Sequence, residues 1–194
     1  MTPEGGGGEI VLVRHGQTEW SKAGRHTGTT DLPLTEAGRA EVRTAAPLVS
    51  SREFELVLCS PLLRARETAE LMGFAEPAEL DGDLAEWNYG DYEGLTTAEI
   101  RERLPGWSVW DQGPEGGETI DEVAARVRRV VDRCEKISGD VLLFAHGHSL
   151  RILTATYLGL PPSAASLFAL DTSGVGVLGY EREWRTLRRW NPLA

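Results

Sequence analysis

An α/β fold, with helices on both faces of one sheet, is predicted by three observations. Apolar runs of strand length recur at Ile10–Val13, Leu56–Cys59, Val141–Ala145 and Val175–Tyr180, each suited to a buried strand. Helical patterns lie between them, and that alternation produces layered α/β architecture. Two of the runs empty into histidine-glycine pairs, His15-Gly16 and His146-Gly147, and ligands bind at strand ends in open α/β sheets.

Taken in order, residues 1–9 contain the Gly5–Gly8 run and lack the charged and apolar regions of a signal peptide, so they read as a flexible leader. Residues 10–194 read as a single domain, since 194 residues at 41% hydrophobic suffice for one well-buried core. After the first strand, apolar spacing predicts a helix over Glu36–Leu48. The second strand leads into Ser60-Pro61, which reads as N-cap and first helical residue of a helix over Leu62–Met72. A helix is expected over Thr97–Leu104, and Pro105–Gly117, rich in Gly and Pro and holding Trp107 and Trp110, reads as a loop that can face a substrate. The clearest helix runs over Ile120–Ile137. Its stripe of Ile120, Val123, Ala124, Val127, Val130, Val131, Cys134 and Ile137 has helical period, and Thr119 and Glu122 stand at capping-box spacing. A last helix, Leu150–Leu158, follows the His146 segment.

Charge narrows the partners. With 30 acidic against 20 basic residues, the net charge of −10 disfavours nucleic acid and anionic membrane. Local convergence of arginines still allows a phosphate site. No stretch is long and apolar enough to span a membrane, and Cys59 and Cys134 lie in apolar stretches without a CxxC motif. Both read as reduced, buried thiols of a cytoplasmic protein. Oligomeric state is not legible in these patterns.

The chemistry-bearing residues cluster around the strand ends. A neutral His15 imidazole is a good nucleophile toward phosphorus, and its phosphoramidate is open to water in a second step. Arg14 and Arg64 suit phosphoryl oxygens because a guanidinium fork matches phosphate and keeps its charge. The bland reading of an isolated Arg-His-Gly is a core histidine beside a surface ion pair. His146, followed by Gly147 at a helix N-terminus, suits a cationic or donating role toward a transferring phosphoryl group. For His148, a site role and a helix-capping role stand side by side. His146-x-His148 also has metal-ligand spacing, but no cysteine or carboxylate completes a set, so no metal and no cofactor are expected. Cleavage of an ester needs a proton donor near the bridging oxygen. Glu86, flanked by Leu84 and Trp87, is suited by partial desolvation to hold that proton. Asp91 and Glu93 read as solvated loop charges. Trp20, Trp87, Trp107 and Trp110 are candidate cleft aromatics, and His26 is a candidate for the pocket rim or an ordinary surface residue. Glu19 and Glu118 are open between repelling a second anion and binding a sugar hydroxyl.

Together these segments resemble the histidine phosphatase superfamily, the phosphoglycerate mutase-like group. The resemblance rests on Leu12-Val13-Arg14-His15-Gly16-Gln17-Thr18-Glu19-Trp20, Leu34-Thr35-Glu36-Ala37-Gly38 and Cys59-Ser60-Pro61-Leu62-Leu63-Arg64-Ala65-Arg66-Glu67-Thr68-Ala69. Glu86 with Tyr89-Gly90, then Ala145-His146-Gly147-His148-Ser149-Leu150-Arg151, complete the order. It implies a three-layer α/β/α sandwich with a mixed, mainly parallel sheet. It further implies a phosphohistidine on His15, a phosphate pocket of Arg14, Arg64 and His146, and Glu86 as proton donor. Gly147, Ser21, Thr27 and Gly28 fall at substrate- or phosphate-binding positions. The partner implied is a small phosphorylated metabolite. Mutases of this group carry a long insertion with paired arginines, whereas Pro105–Glu118 is a short connection here and Arg101 and Arg103 belong to the preceding helix. Ser21 replaces the mutase asparagine. Both departures favour a metal-independent phosphomonoesterase over a phosphoglycerate mutase, the alternative; a non-catalytic phospho-ligand binder is the second alternative. The stretches Glu86–Gly94 and Gly116–Thr119 are most similar to broad-specificity acid phosphatases and the sedoheptulose bisphosphatase branch.

Overall fold

The computed structural model describes residues 8–76 and 78–192. At its centre is a sheet of six strands: β1 (Ile10–Arg14), β2 (Leu56–Cys59), β3 (Ala78–Leu80), β4 (Val141–Ala145), β5 (Val175–Glu181) and β6 (Trp184–Trp190), ordered in space β3-β2-β4-β1-β5-β6. The first four neighbours are parallel, while β5 runs antiparallel to β1 and β6 antiparallel to β5. The helices are α1 (Glu19–Lys22), α2 (Glu36–Ala45), α3 (Pro47–Ser50), α4 (Leu63–Leu71), α5 (Thr97–Arg103), α6 (Ile120–Cys134) and α7 (Gly147–Tyr157). The mixed, mainly parallel α/β/α arrangement expected from the sequence is what forms.

Strand alternation explains the layers. Val11 and Val13 join Val42 of α2 and Ala65 and Ala69 of α4 on one face. Ile10 and Leu12 join Val123, Val127 and Val130 of α6 and Leu150 and Leu153 of α7 on the other. A side chain of this size contributes about 1.5–3 kcal/mol when fully buried, so a sheet covered on both faces is strongly favoured. Cys59 and Cys134 are buried free thiols, as expected, and burial pushes both up to about 12. Among the described residues, no helix is long and apolar enough to cross a membrane.

Several boundaries depart from expectation. The helix predicted over Glu36–Leu48 is interrupted after Ala45, and α3 begins at Pro47, because proline lacks the N–H that would continue the ladder. Ser60 is not an N-cap: that position is Leu62, without a side-chain cap. A carboxylate remote in sequence does the work, Asp31 Oδ1 accepting from the Leu63 N–H at 2.7 Å. α7 starts at Gly147, not Leu150, and α6 ends at Cys134, not Ile137. Strands β3 and β6 carry no buried apolar run, since they are the exposed edges of the sheet. Residues 1–7 of the expected leader lie outside the described residues. Its last two residues are pinned, Gly8 N–H to Ser138 O at 3.1 Å and Glu9 N–H to Asp140 Oδ1 at 2.8 Å.

The topology creates the site. β1 and β4 are neighbours, Arg14 lying opposite Ala145, and the His15 N–H donates to Ala145 O at 3.0 Å. β1 and β4 are followed by helices that cover opposite faces of the sheet. The chain therefore parts between their C-terminal ends and leaves a crevice there.

Candidate active site

His15 is 5% exposed and its Nδ1 lies 2.7 Å from the carbonyl oxygen of Gly16. A carbonyl only accepts, so Nδ1 carries the proton and Nε2 keeps its lone pair. Burial first, then the Arg14 and Arg64 guanidinium groups, hold His15 well below the ordinary value of 6.5. The ring is neutral near pH 7, in the tautomer a nucleophile needs. Gly16 allows this turn to approach α2: a Cβ there would meet Val42 Cγ2 at 2.7 Å and Gly38 O at 2.8 Å.

The second histidine is arranged differently. His146 is fully buried, its ring centroid 5.2 Å from that of His15. Arg64 Nε donates to its Nδ1 at 3.1 Å, which places the proton on Nε2, 2.7 Å from Ser60 Oγ. His146 is thus a neutral donor and not a cation; burial and then Arg64 lower its pKa well below 6.5. Arg64 also donates to the carbonyls of Thr30 at 3.0 Å, Thr27 at 3.1 Å and Gly28 at 3.0 Å. It ties the 27–30 segment to the floor of the site.

Glu86 arrives from the segment after β3. Its carboxylate accepts from the N–H groups of Trp87 at 2.9 Å, His148 at 3.0 Å and Ser149 at 2.9 Å. The last two belong to the first turn of α7, so Glu86 caps that helix from afar. The residue is buried, as expected from Leu84 and Trp87. What touches its oxygens, however, is backbone N–H and not apolar surface. Of its two expected alternatives His148 takes the place in the site, lining the cavity with its Nδ1 2.6 Å from the Tyr89 hydroxyl, and its side chain does not cap α7. Burial pushes that phenol up and holds His148 down, so Tyr89 donates.

Arg14, His15, Glu86 and Gly147 share the wall of one cavity of about 350 Å³ with Ser21, Thr27, His26 and Tyr89. Arg14 Nη1 donates to Leu170 O at 2.5 Å, while its buried Nε has no partner. A buried guanidinium donor without a partner, beside a neutral histidine, is an arrangement that an anion completes. Arg64 and His146, expected in the phosphate pocket, are not in this wall; both are buried, joined to each other by the Nε–Nδ1 hydrogen bond, with the His146 ring 5.2 Å from that of His15. Among the described residues, no group of three His, Cys, Asp or Glu side chains is placed to share a metal ion.

The family model for the histidine phosphatase superfamily (branch 1) matches residues 10–192. The chain belongs to the histidine phosphatase superfamily. A curated acid phosphatase from Mycobacterium tuberculosis is 41% identical, over 92% of this chain and 89% of that one. The sedoheptulose 1,7-bisphosphatase of Saccharomyces cerevisiae is 37% identical over 77% and 67% of the two chains. Among solved structures, a mycobacterial glucosyl-3-phosphoglycerate phosphatase bound to vanadate superposes with a TM-score of 0.84 at 31% identity, covering 94% and 98%.

In this histidine phosphatase, several sequence expectations find different employment. Gly28 is not in the cavity wall; its N–H donates to both Glu93 oxygens at 2.9 Å. Glu93, expected to be a solvated loop charge, therefore organises the 28–30 segment, accepting also from Thr30 N–H at 3.0 Å. Ser21 lines the cavity and completes a capping box with Thr18. His26 is at the rim, its ring 4.8 Å from Tyr89 and 5.5 Å from Trp107. Trp107 and Trp110 line the cavity, whereas Trp20 and Trp87 do not. Glu118 is engaged with Arg126 at 2.8 Å and Glu19 is an exposed residue outside the wall. Sequence reasoning missed Ser60 as a partner of His146, and it placed Arg101 correctly in the helix before the Pro105–Glu118 connection without giving it a part in the site. Arg101 in fact lines the cavity, as do Arg25 and Arg151. No local pattern announces this, because the loop with Arg25, α5 with Arg101 and the second turn of α7 with Arg151 meet only through the tertiary fold.

Proposed function

We propose that this protein is a metal-independent phosphomonoesterase that passes the phosphoryl group of a small metabolite through His15. One observation carries the reading: a neutral His15 whose Nδ1–H is held by Gly16 O shares a cavity wall with an unpartnered Arg14 Nε. Arg14 binds the phosphoryl oxygens. His15 Nε2 attacks phosphorus in line, the bond from phosphorus to the ester oxygen breaks, and Glu86 gives that oxygen a proton. A water then attacks the phosphohistidine, Glu86 takes its proton, and the nitrogen–phosphorus bond opens to release phosphate. Arg64 acts one layer back, keeping His15 neutral and His146 oriented as an Nε2–H donor.

The relatives support hydrolysis of small phosphate esters, since two of them are an acid phosphatase and a sugar bisphosphatase. The test is phosphate release from 4-nitrophenyl phosphate in the presence of EDTA. Turnover is expected with EDTA, and His15→Ala is expected to lose it by a factor of about 1,000 or more; full activity in that variant ends the scheme. Incubation with 3-phosphoglycerate and a bisphosphate primer separates hydrolysis from mutase chemistry. Phosphate release is expected to exceed phosphoryl shift between positions.

A further inference from the structure

Two buried polar side-chain atoms lack a hydrogen-bond partner among the described residues. Arg14 Nε is one, and the phosphoryl chemistry uses it. The other is the Ser173 hydroxyl oxygen, for which that chemistry has no use. Ser173 is 7% exposed and lies in the wall of a second cavity, an open groove of about 560 Å³ between α2 and the 171–174 turn. A buried hydroxyl left without a partner is a place that a ligand completes.

The groove has a local origin. α2 presents Ala37, Ala40, Glu41 and Thr44 at i, i+3, i+4 and i+7 spacing, so one face of the helix lines it. The alanines are too short to fill the gap. The turn, for its part, is fixed by its backbone bonds. Gly174 N–H donates to Asp171 O at 2.9 Å, Ser173 N–H to His15 O at 3.1 Å, and Arg14 N–H to Gly174 O at 3.0 Å. Ser173 is held at φ 57°, a left-handed conformation that residues other than glycine seldom adopt.

Charge selects the ligand. The described wall holds two carboxylates, Glu41 and Asp171, and no lysine, arginine or histidine. Glu41 accepts from the Thr172 hydroxyl at 3.2 Å. Such a wall repels anions, and among the described residues no third His, Cys, Asp or Glu joins the pair to hold a metal ion. Leu48, Pro192 and the alanines form its apolar side. A primary alkylammonium matches both halves, with three N–H donors for carboxylate and hydroxyl oxygens and a carbon chain for the apolar side.

We propose that this groove binds a small aliphatic amine through Glu41, Asp171 and the Ser173 hydroxyl, and that the bound ammonium tightens anion binding at Arg14. The coupling follows from position. Ser173 and Gly174 are bonded to the backbone of His15 and Arg14. Burial lowers the Arg14 pKa, and the carboxylates of Glu86 and Asp171 are among the charges that oppose the fall, so the field of Asp171 reaches the guanidinium. An ammonium beside Asp171 cancels part of that field and leaves Arg14 freer to hold phosphate. Linkage makes the effect mutual: phosphate at Arg14 tightens the amine by the same factor. Only an anion at Arg14 is needed, not its turnover.

Calorimetric titration of the whole chain with 1,4-diaminobutane is the test, with 1,4-butanediol as the uncharged counterpart and ionic strength held constant. Saturable binding of the diamine and none of the diol is expected. Affinity is expected to fall about tenfold or more in Glu41→Gln, which removes the charge, and in Ala40→Leu, which fills the groove from an exposed position. Orthophosphate is expected to raise the diamine affinity about two- to fivefold, and the diamine to lower KM for 4-nitrophenyl phosphate by the same factor at constant kcat. Glu41→Gln is expected to keep wild-type basal turnover and to show neither effect. Absence of saturable binding, equal affinity in wild type and both variants, a diamine affinity indifferent to orthophosphate, or a KM that the diamine leaves unchanged overturns the amine site while leaving the phosphatase standing. Diamine binding that responds to orthophosphate in a wild-type chain without turnover instead removes the phosphatase reading and keeps the groove.

Discussion

Which nitrogen of a ring carries the proton separates the two histidines of this site. His15 gives its proton to a carbonyl and keeps Nε2 as a base; His146 receives a hydrogen bond from Arg64 and keeps Nε2 as a donor. Two residues of one type thus take opposite roles, set by a single neighbour each. Because burial and two guanidinium groups hold His15 well below 6.5, acidification does not protonate this ring early. The kcat/KM profile of the free enzyme is expected to show no His15 limb at the ordinary histidine value of 6.5; a fall of about tenfold per unit that sets in at that value contradicts it. Gly147 is a second residue-scale feature. An added Cβ stands 3.2 Å from Arg14 Nε and 3.3 Å from its Cζ, so Gly147→Ala displaces the guanidinium by a few tenths of an ångström. The expected outcome is a rise in KM of about tenfold for a simple aryl phosphate, with thermal stability nearly unchanged, read by steady-state kinetics and a melting curve.

At the scale of elements, Glu86, the proposed general acid, is held by two helices. α7 supplies N–H groups to the Glu86 carboxylate, and α6 holds the backbone beneath it. Arg126 of α6, 8% exposed, donates from Nη1 to Asp83 O at 2.9 Å and Ala85 O at 2.7 Å, and from Nη2 to Glu86 O at 3.1 Å. Its Nε pairs with Glu118 at 2.8 Å. Arg126→Met is expected to cost about 3 kcal/mol of unfolding free energy, since carbonyls and a half-buried carboxylate lose their donor. It is also expected to lower kcat more than it raises KM, because Glu86 loses its footing while the Arg14 site stays whole. Urea unfolding and initial rates check both, and Arg126→Lys is expected to restore part of each.

For the molecule as a whole, burial of neutral histidines links folding to pH. His15 and His146 are held well below 6.5 in the folded chain, whereas the unfolded chain titrates near 6.5. Below that value the unfolded state binds protons that the folded state refuses. The contribution of these rings is therefore complete above about pH 6.5 and is lost as pH falls toward their folded values, at about 1.4 kcal/mol per unit for each. The unfolding midpoint in urea is expected to decline below about pH 6.5; a phosphate ligand in excess is expected to offset the loss. A midpoint that holds constant from pH 7 to 5 contradicts the assignment of both rings as neutral.

Much of this was legible in the chain. The buried strands announce themselves because a strand covered on both faces must be continuously apolar, and the Ile120 stripe because a helix on one face must be amphipathic. β3 and β6 stay silent, since edge strands bury too little to leave a pattern. His15, Arg14, Glu86 and His146 were legible as motif residues. Their division of labour was not: that Arg64 grips His146 and loop carbonyls, that Ser60 answers His146, and that Arg101 reaches the cleft are facts of long-range contact. The layers and the identity of the reactive groups can be read from the chain alone, because periodicity and residue chemistry are local properties. Tautomers, hydrogen-bond partners and the sign of the cavity wall come from the folded chain alone, because they depend on which distant segments the parallel pairing of β1 with β4 brings within a few ångströms.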